Sequence, residues 1–408
     1  MFERFLINPF TGRYILQEEI TMNNQDAVIV AIGRSPVTRG RKGGLAQTHP
    51  IEFGAQTLKG TLAKIPQLDV NEIADVIVGC AMPFETQGYN IGRLIVERAG
   101  LPDSIPGMTI NRFCSSGLQA IALCAQAIMS GQEEVMVAGG IESMSSVSMA
   151  LDPNTFDPWL TENKEGAYMA MGLTAEKVAE EKGVTREMMD MAAVASHQKA
   201  FAAREAGLLN EYIIPINTTF DGEEITVTYD DGIRANSSME SLGNLRPCFK
   251  EDGVVTAGTS SQVSDGCGFA VVMSAKKAEE LGIKPLLKFI AFSVGGVDPA
   301  VMGLGPIEAV PKVMKKTGLT VDDMDVIELN EAFAAQQLPC MKELGFPFEK
   351  TNPYGGAMAL GHPMGATGVF LTTKALTRLN EIGGKYALVT MCVGGGMGAA
   401  AIFERPAE

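Results

Sequence analysis

Residues 114–140 read CSSGLQAIALCAQAIMSGQEEVMVAGG, and residues 361–396 read GHPMGATGVFLTTKALTRLNEIGGKYALVTMCVGGG. Each begins in a turn of small residues and enters about four helical turns with apolar residues at 3.6 spacing. Each then stops at glycine and ends in an apolar strand closed by more glycines. The same order twice in one chain is the signature of a duplicated α/β unit.

The flanking segments extend the repeat. LDVNEIADVIVGC (68–80) and LTVDDMDVIELNE (319–331) both pass from a polar turn through acidic residues into Asp-Val-Ile and an apolar strand. Aligned through Asp75 and Asp325, an offset of 250, they place Cys80 opposite Asn330. DGCGFAVVMS (265–274) mirrors GGMGAAAIFE (395–404), and His362 lies 248 residues beyond Cys114. Two copies of one unit pack about a pseudo-twofold axis, which brings equivalent turns together. Cys114 and His362 are therefore expected to converge.

In the second copy the last two elements are contiguous, whereas about 125 residues separate Gly140 from Asp265. The expected organisation is an extension over 1–25, a first half over 26–145 completed by 264–284, an insertion over 146–263, and a second half over 285–408. Met22 is a candidate biological start, because the α/β pattern begins at Asp26.

Composition narrows the function. A formal charge of -15 offers no basic face for nucleic acid or anionic membrane. Seven Cys without a C-x-x-C pair and three His form neither a zinc framework nor a disulfide scaffold, which fits a reducing cytoplasm and no metal. No apolar run reaches the roughly 18 residues of a membrane helix.

Four positions could carry chemistry. Cys114, at a helix start, has backbone N–H groups and a helix dipole that favour a thiolate; the bland reading is a small buried residue. His362 sits among Gly355, Gly356, Gly361, Gly365 and Gly368, where it could act as a general base toward Cys114. Cys392 precedes Gly394, Gly395 and Gly396, which could aim N–H groups at an oxyanion or simply allow close packing. Asn330, at the end of a buried strand, could hold a water or cap the helix of EAFAAQQ.

Together NRFCSSGLQA (111–120), ELNEAFAAQ (328–336), GGAMALGHPMGATG (355–368) and CVGGGMG (392–398) resemble the thiolases in order and spacing, over roughly residues 26–405. The resemblance implies a duplicated fold of five layers, α-β-α-β-α, with an inserted loop domain, and thiolytic cleavage of 3-ketoacyl-CoA. It implies that Cys114 is the nucleophile, His362 the base, Asn330 the holder of a water at the enolate, and Cys392 the acid. The N–H groups of Cys114 and Gly394 would hold the second oxyanion. Coenzyme A would enter as substrate, with no permanent cofactor, contacting Arg234, Ser241, Phe249, Ser261 and Phe333; Met171, also among the CoA-binding candidates, would line the acyl side. Arg246 and Lys250 add local positive charge. A homodimer or homotetramer is implied as well.

Short-chain acetoacetyl-CoA thiolases typically carry His at the position of Ala170, and here the stretch reads YMAMGLTAEKVA (168–179). With CAMPFETQGYNIGR (80–93), this favours the degradative thiolases of longer chains over the condensing enzyme. Ketoacyl synthases would need two active-site His and hydroxymethylglutaryl-CoA synthase a Glu. A non-catalytic CoA or lipid carrier would not need both cysteines and the His.

Overall fold

In a computed structural model, the described residues are 22–150 and 152–407, plus 5–7 and 14–16, which pair as a short antiparallel ribbon. The rest of the segment before Met22, and with it most of the expected extension, lies outside the described residues.

Five longer strands form the first half: β1 Ala27–Arg34, β2 Val76–Cys80, β3 Gly107–Ile110, β4 Val135–Ser143 and β5 Ser264–Ser274, with a two-residue strand, Thr38–Arg39, pairing beside β5. Four form the second: β6 Leu287–Gly296, β7 Val326–Leu329, β8 Tyr386–Val393 and β9 Met397–Glu404. Their orders are β3-β2-β4-β5-β1 and β7-β8-β9-β6. Hence β2-β4-β5-β1 recurs as β7-β8-β9-β6, with the same parallel, antiparallel, antiparallel senses. Even the β2–β3 pairing has a vestige in the second half, the parallel bridge Ile327–Thr351.

The register fixes the equivalence residue by residue. Val76 pairs with Val137, and 251 positions later Ile327 pairs with Leu388. Gly140 faces Gly268 as Met391 faces Ala399. Val30 is skipped in the β1–β5 ladder and Ile290 in the β6–β9 ladder, one bulge at one place in both halves. Where β1 meets β6, Val28 faces its own counterpart, Lys288. Equivalent residues facing each other in an antiparallel pair are what a twofold axis requires.

The offset read through Asp75 and Asp325 is thus short by one. Alternation shows why: Val76, Val78 and Cys80 join the outer core, as Ile327 and Leu329 do, whereas Ile77 and Val326 face the central one. A slip of one residue would turn every side chain to the wrong face. Asn330 is the counterpart of Gly79, and Cys114 that of Gly365. The match between β5 and β9 shifts likewise, Val271 to Ile402.

Helices α1 Pro50–Leu62 and α2 Ile91–Arg98 cover the outer face of the first sheet half. α3 Ser116–Met129 lies in the central layer. α4 Gly305–Thr317 and α5 Ala334–Leu344 cover the outer face of the second half, and α6 Thr367–Ile382 joins α3 in the centre. These are the five layers. Covered on both faces, the strands read as continuous apolar runs.

The central helices touch at glycines. A Cβ on Gly117 would lie 2.8 Å from the Gly365 carbonyl oxygen, and one on Gly368 would lie 2.2 Å from the Leu118 nitrogen. Gly368→Ala is expected to cost about 2–3 kcal/mol by overpacking, read as a lower midpoint in denaturant unfolding; an unchanged midpoint would mean that the helices part freely.

Between β4 and β5 lie the helices Met171–Lys182 and Arg186–Glu205, a two-stranded ribbon and a short helix, Met239–Gly243. A buried bidentate pair, Arg34 with Asp230 at 2.6 and 2.8 Å, ties this segment to the end of β1.

Candidate active site

Cys114 occupies the short turn Phe113–Ser115 that feeds α3, and this turn packs against the turn Met364–Ala366 feeding α6. Phe113 takes a positive φ of 43°, a costly conformation for an aromatic residue. Side chains hold it there: Asn111 Oδ1 accepts the Phe113 N–H at 2.8 Å, and the Ser116 hydroxyl donates to the Phe113 carbonyl at 2.7 Å. The strain sits one residue before the thiol.

Cys114 is 8% exposed. Burial pushes its thiol up to about 11, while the N–H groups of Gly394 and of Cys114 itself oppose that rise. The helix-start position had suggested a lowered value. Desolvation outweighs the dipole here, so the resting group is a thiol and needs a base.

The candidate base, His362, lies three residues before the counterpart of Cys114. The Thr367 hydroxyl donates to the Pro363 carbonyl at 3.0 Å, so its oxygen accepts Nδ1–H of His362 at 2.6 Å. The tautomer so assigned leaves Nε2 as a hydrogen-bond acceptor. Asn330 Nδ2 donates to it at 3.3 Å. Ser264 Oγ accepts the His362 backbone N–H at 3.2 Å. Burial pushes the imidazole down to about 4, which keeps it neutral, with Nε2 unprotonated, at physiological pH.

Asn330 is fully buried, and among the described residues no group bonds its Oδ1. It does not cap α5: that helix starts after Phe333, whose N–H is taken by Gln336 Oε1 at 3.0 Å. Cys392, also fully buried, has its thiol raised by desolvation and by the neighbouring Cys114. Thus Asn330 meets His362, and Cys392 lies by Cys114.

The acyl-side candidates gather nearby. Cys392, Phe333, Met302 and Met358 share one apolar cluster, with Met171 packed against it. Phe249 sets its ring edge-on to Phe333 at 6.1 Å, and Gly172 leaves room for it, since a Cβ there would meet that ring at 2.1 Å. The Ser261 N–H donates to the Ala332 carbonyl at 2.8 Å. Arg234 and Ser241 are exposed and, among the described residues, join no hydrogen bond to Cys114, His362, Asn330 or Cys392: the Arg234 N–H donates to His197 Nδ1, and Ser241 Oγ accepts the N–H of Ser238, the cap of its short helix.

Sequence reasoning missed Thr367, Ser264 and Glu142. Thr367 stands in the quoted GATG, where a hydroxyl one turn beyond a His is the available signal. Thr367→Val is expected to free the ring and lower kcat about 10-fold with KM nearly unchanged, measured by steady-state kinetics; wild-type kcat would remove Thr367 from the mechanism.

Comparison with known proteins places the chain in a family. Family models described as the thiolase N-terminal domain and the thiolase C-terminal domain match residues 27–276 and 283–405. A 3-ketoacyl-CoA thiolase of Bacillus subtilis is 45% identical over 389 residues, 93% of this chain and 99% of the relative. The dimeric peroxisomal thiolase of Saccharomyces cerevisiae superimposes with a TM-score of 0.89 at 37% identity, covering 95% of this chain and 99% of the other. An acetyl-CoA acetyltransferase of Bacillus anthracis gives 0.87 at 37% identity, covering 93% and 99%. Fold and site define an acyltransferase built on a duplicated α/β unit. The chain belongs to the thiolase family.

Proposed function

We propose that this enzyme cleaves 3-ketoacyl-CoA with CoA, giving acetyl-CoA and an acyl-CoA two carbons shorter. The observation that carries the reading is the neutral His362, its Nε2 lone pair shared with Asn330, in a site where a buried thiol needs a base. Cys114 Sγ attacks the keto carbon as His362 Nε2 takes the thiol proton. The N–H groups of Cys114 and Gly394 hold the resulting oxyanion. As the oxyanion collapses, the C–C bond breaks and its electron pair moves onto the acetyl-CoA carbon as an enolate. The imidazolium and a water held by Asn330 face the enolate oxygen, and Cys392 delivers a proton to the carbon. The CoA thiol then attacks acyl-Cys114, giving its proton to restore the site and releasing the shortened acyl-CoA.

Arg234, Ser241, Phe249 and Ser261 are proposed to receive coenzyme A, with Met171 and Phe333 lining the acyl chain. No residue is assigned to a permanent cofactor. The relatives named 3-ketoacyl-CoA thiolase, and Ala170 in place of the short-chain His, support a degradative role such as fatty-acid β-oxidation. A cytoplasmic homodimer or homotetramer fits the bacterial relative, the dimeric yeast neighbour, and a half-exposed edge strand β3; no described helix is long and apolar enough to cross a membrane.

Thiolysis of a series of 3-ketoacyl-CoAs from C4 to C16 tests this. Turnover extending to the longer chains is expected. Turnover at C4 alone would assign a short-chain acetoacetyl-CoA enzyme, and CoA binding without turnover at any length would indicate a carrier.

A further inference from the structure

The pseudo-twofold gives every site residue a counterpart, and the counterpart of the nucleophile is occupied in an informative way. Cys114 corresponds to Gly365, His362 to Asn111, Asn330 to Gly79 and Gly394 to Ser143. At Gly365 there is no room for a side chain, since a Cβ would lie 2.4 Å from the Ile141 carbonyl oxygen. What stands beside it is a carboxylate. Glu142, at the end of β4 and 0% exposed, accepts the Gly365 N–H at 2.8 Å and the Ala81 N–H at 2.9 Å on Oε2. On Oε1 it accepts Gln87 Nε2–H at 2.8 Å and the Met82 N–H at 3.2 Å. The Cys80 thiol also points at it, from 3.7 Å.

Every one of these partners donates, which suits an ionised carboxylate and leaves no acceptor for a protonated one. Burial raises the Glu142 carboxyl above the ordinary range, and the four donors oppose that rise. The turn that binds this anion is the structural twin of the turn carrying Cys114. A turn of this shape, its N–H groups open at a helix start, is an anion receptor. In one half the anion is built in. In the other the position is left to the reacting oxygen.

We propose that Glu142 is a positioning residue for the reaction: it fills the anion pocket at the nucleophile's twofold mate and thereby clamps the His362 loop of one half onto the Cys114 half. The proposal rests on the thiolytic reading above. The clamp reaches His362 through short segments, for Gly365 lies three residues after the imidazole and two before Thr367, which holds it. On the other side Glu142 fixes the segment after β2, where Ala81 O accepts Asn111 Nδ2–H at 3.1 Å and so supports the strained turn at Phe113. The titratable groups that feel the carboxylate are Cys80 on β2 and Cys114 before α3; among the described residues no Lys or Arg bonds it. Its negative charge lies close enough to Cys114 to oppose ionisation of that thiol.

Glu142→Gln tests the clamp, because an amide keeps the shape but turns N–H groups toward donors. Two readouts are expected together. kcat for thiolysis falls about 10-fold or more with KM for CoA within about twofold, and the pH midpoint for alkylation of Cys114 by iodoacetamide moves to lower pH, since a negative charge has left its surroundings. Wild-type kcat, or a kcat loss with an unmoved alkylation midpoint, overturns the proposal. If that variant does not fold, Gln87→Met leaves the carboxylate and its three backbone donors; a kcat loss of about threefold supports the clamp and wild-type kcat overturns it. The alkylation profile needs no ketoacyl substrate. Failure of wild-type protein to cleave any 3-ketoacyl-CoA would therefore overturn the functional reading while still leaving the Glu142 readout to stand or fall alone.

Discussion

Cys114→Ser is expected to lower kcat for thiolysis by about 10⁴-fold or more, and mass spectrometry should find no acyl group on the variant after mixing with ketoacyl-CoA. The reason is the environment rather than the cysteine alone. Burial already lifts the thiol to about 11, so the free site holds back a proton that, in the proposed mechanism, His362 takes. A serine hydroxyl in the same pocket starts several units higher and makes a poorer leaving group when CoA attacks. CoA binding, read by calorimetry, should persist, because the proposed contacts lie in the inserted segment. Turnover within tenfold of wild type would show that the acyl group is carried elsewhere. Cys392→Ala provides the contrast: it keeps the nucleophile and should still trap some acyl-Cys114.

His362→Asn is expected to cost about 10³-fold in kcat, and the pH profile of the native enzyme says why. The working form is the neutral imidazole. Burial sets its proton affinity near 4 instead of the ordinary 6.5, so the ring stays neutral as pH falls through 6.5 and protonates only toward 4. The rate of acyl-enzyme formation should therefore hold through pH 6.5 and decline along an acid limb near 4, measured by brief pH-jump single turnovers that outrun acid unfolding. An acid limb at 6.5 would mean that substrate or solvent rehydrates the ring and that burial in the free enzyme does not govern the step.

The duplication was legible because glycine stops, apolar strands and helix periodicity repeat in order, and those signals survive without any structure. Its register was not. Asp75 and Asp325 look alike, yet the sheet matches Ala74 with Asp325, both of whose N–H groups bond the neighbouring strand at Val135 and Tyr386. Only the direction in which each side chain points separates the two alignments, and identity of single letters carries no direction. Cys114, His362, Asn330 and Cys392 stood out because each is an uncommon chemical type in glycine-rich or buried surroundings. The protonation state of Cys114 was misjudged, since a helix start can be read from letters but the depth of the pocket above it cannot. Glu142 was invisible for a related reason: in VMVAGGIES it looks like the first polar residue after a strand, and its four donors come from three separate segments of the chain.

The contact of Val28 with Lys288 bears on how the site can be asymmetric. Two identical half-chains paired about such an axis would have to write every residue twice, so a thiol on one side would demand a thiol on the other, and likewise for an imidazole. An assembly of that kind could hold two equal pockets but not one alone. Two halves in a single chain carry no such obligation. Position 114 is cysteine while position 365 is glycine, and position 362 is histidine while position 111 is asparagine. The asymmetry on which the proposed chemistry depends is thus open to a chain whose halves differ in sequence and closed to a pair of identical ones.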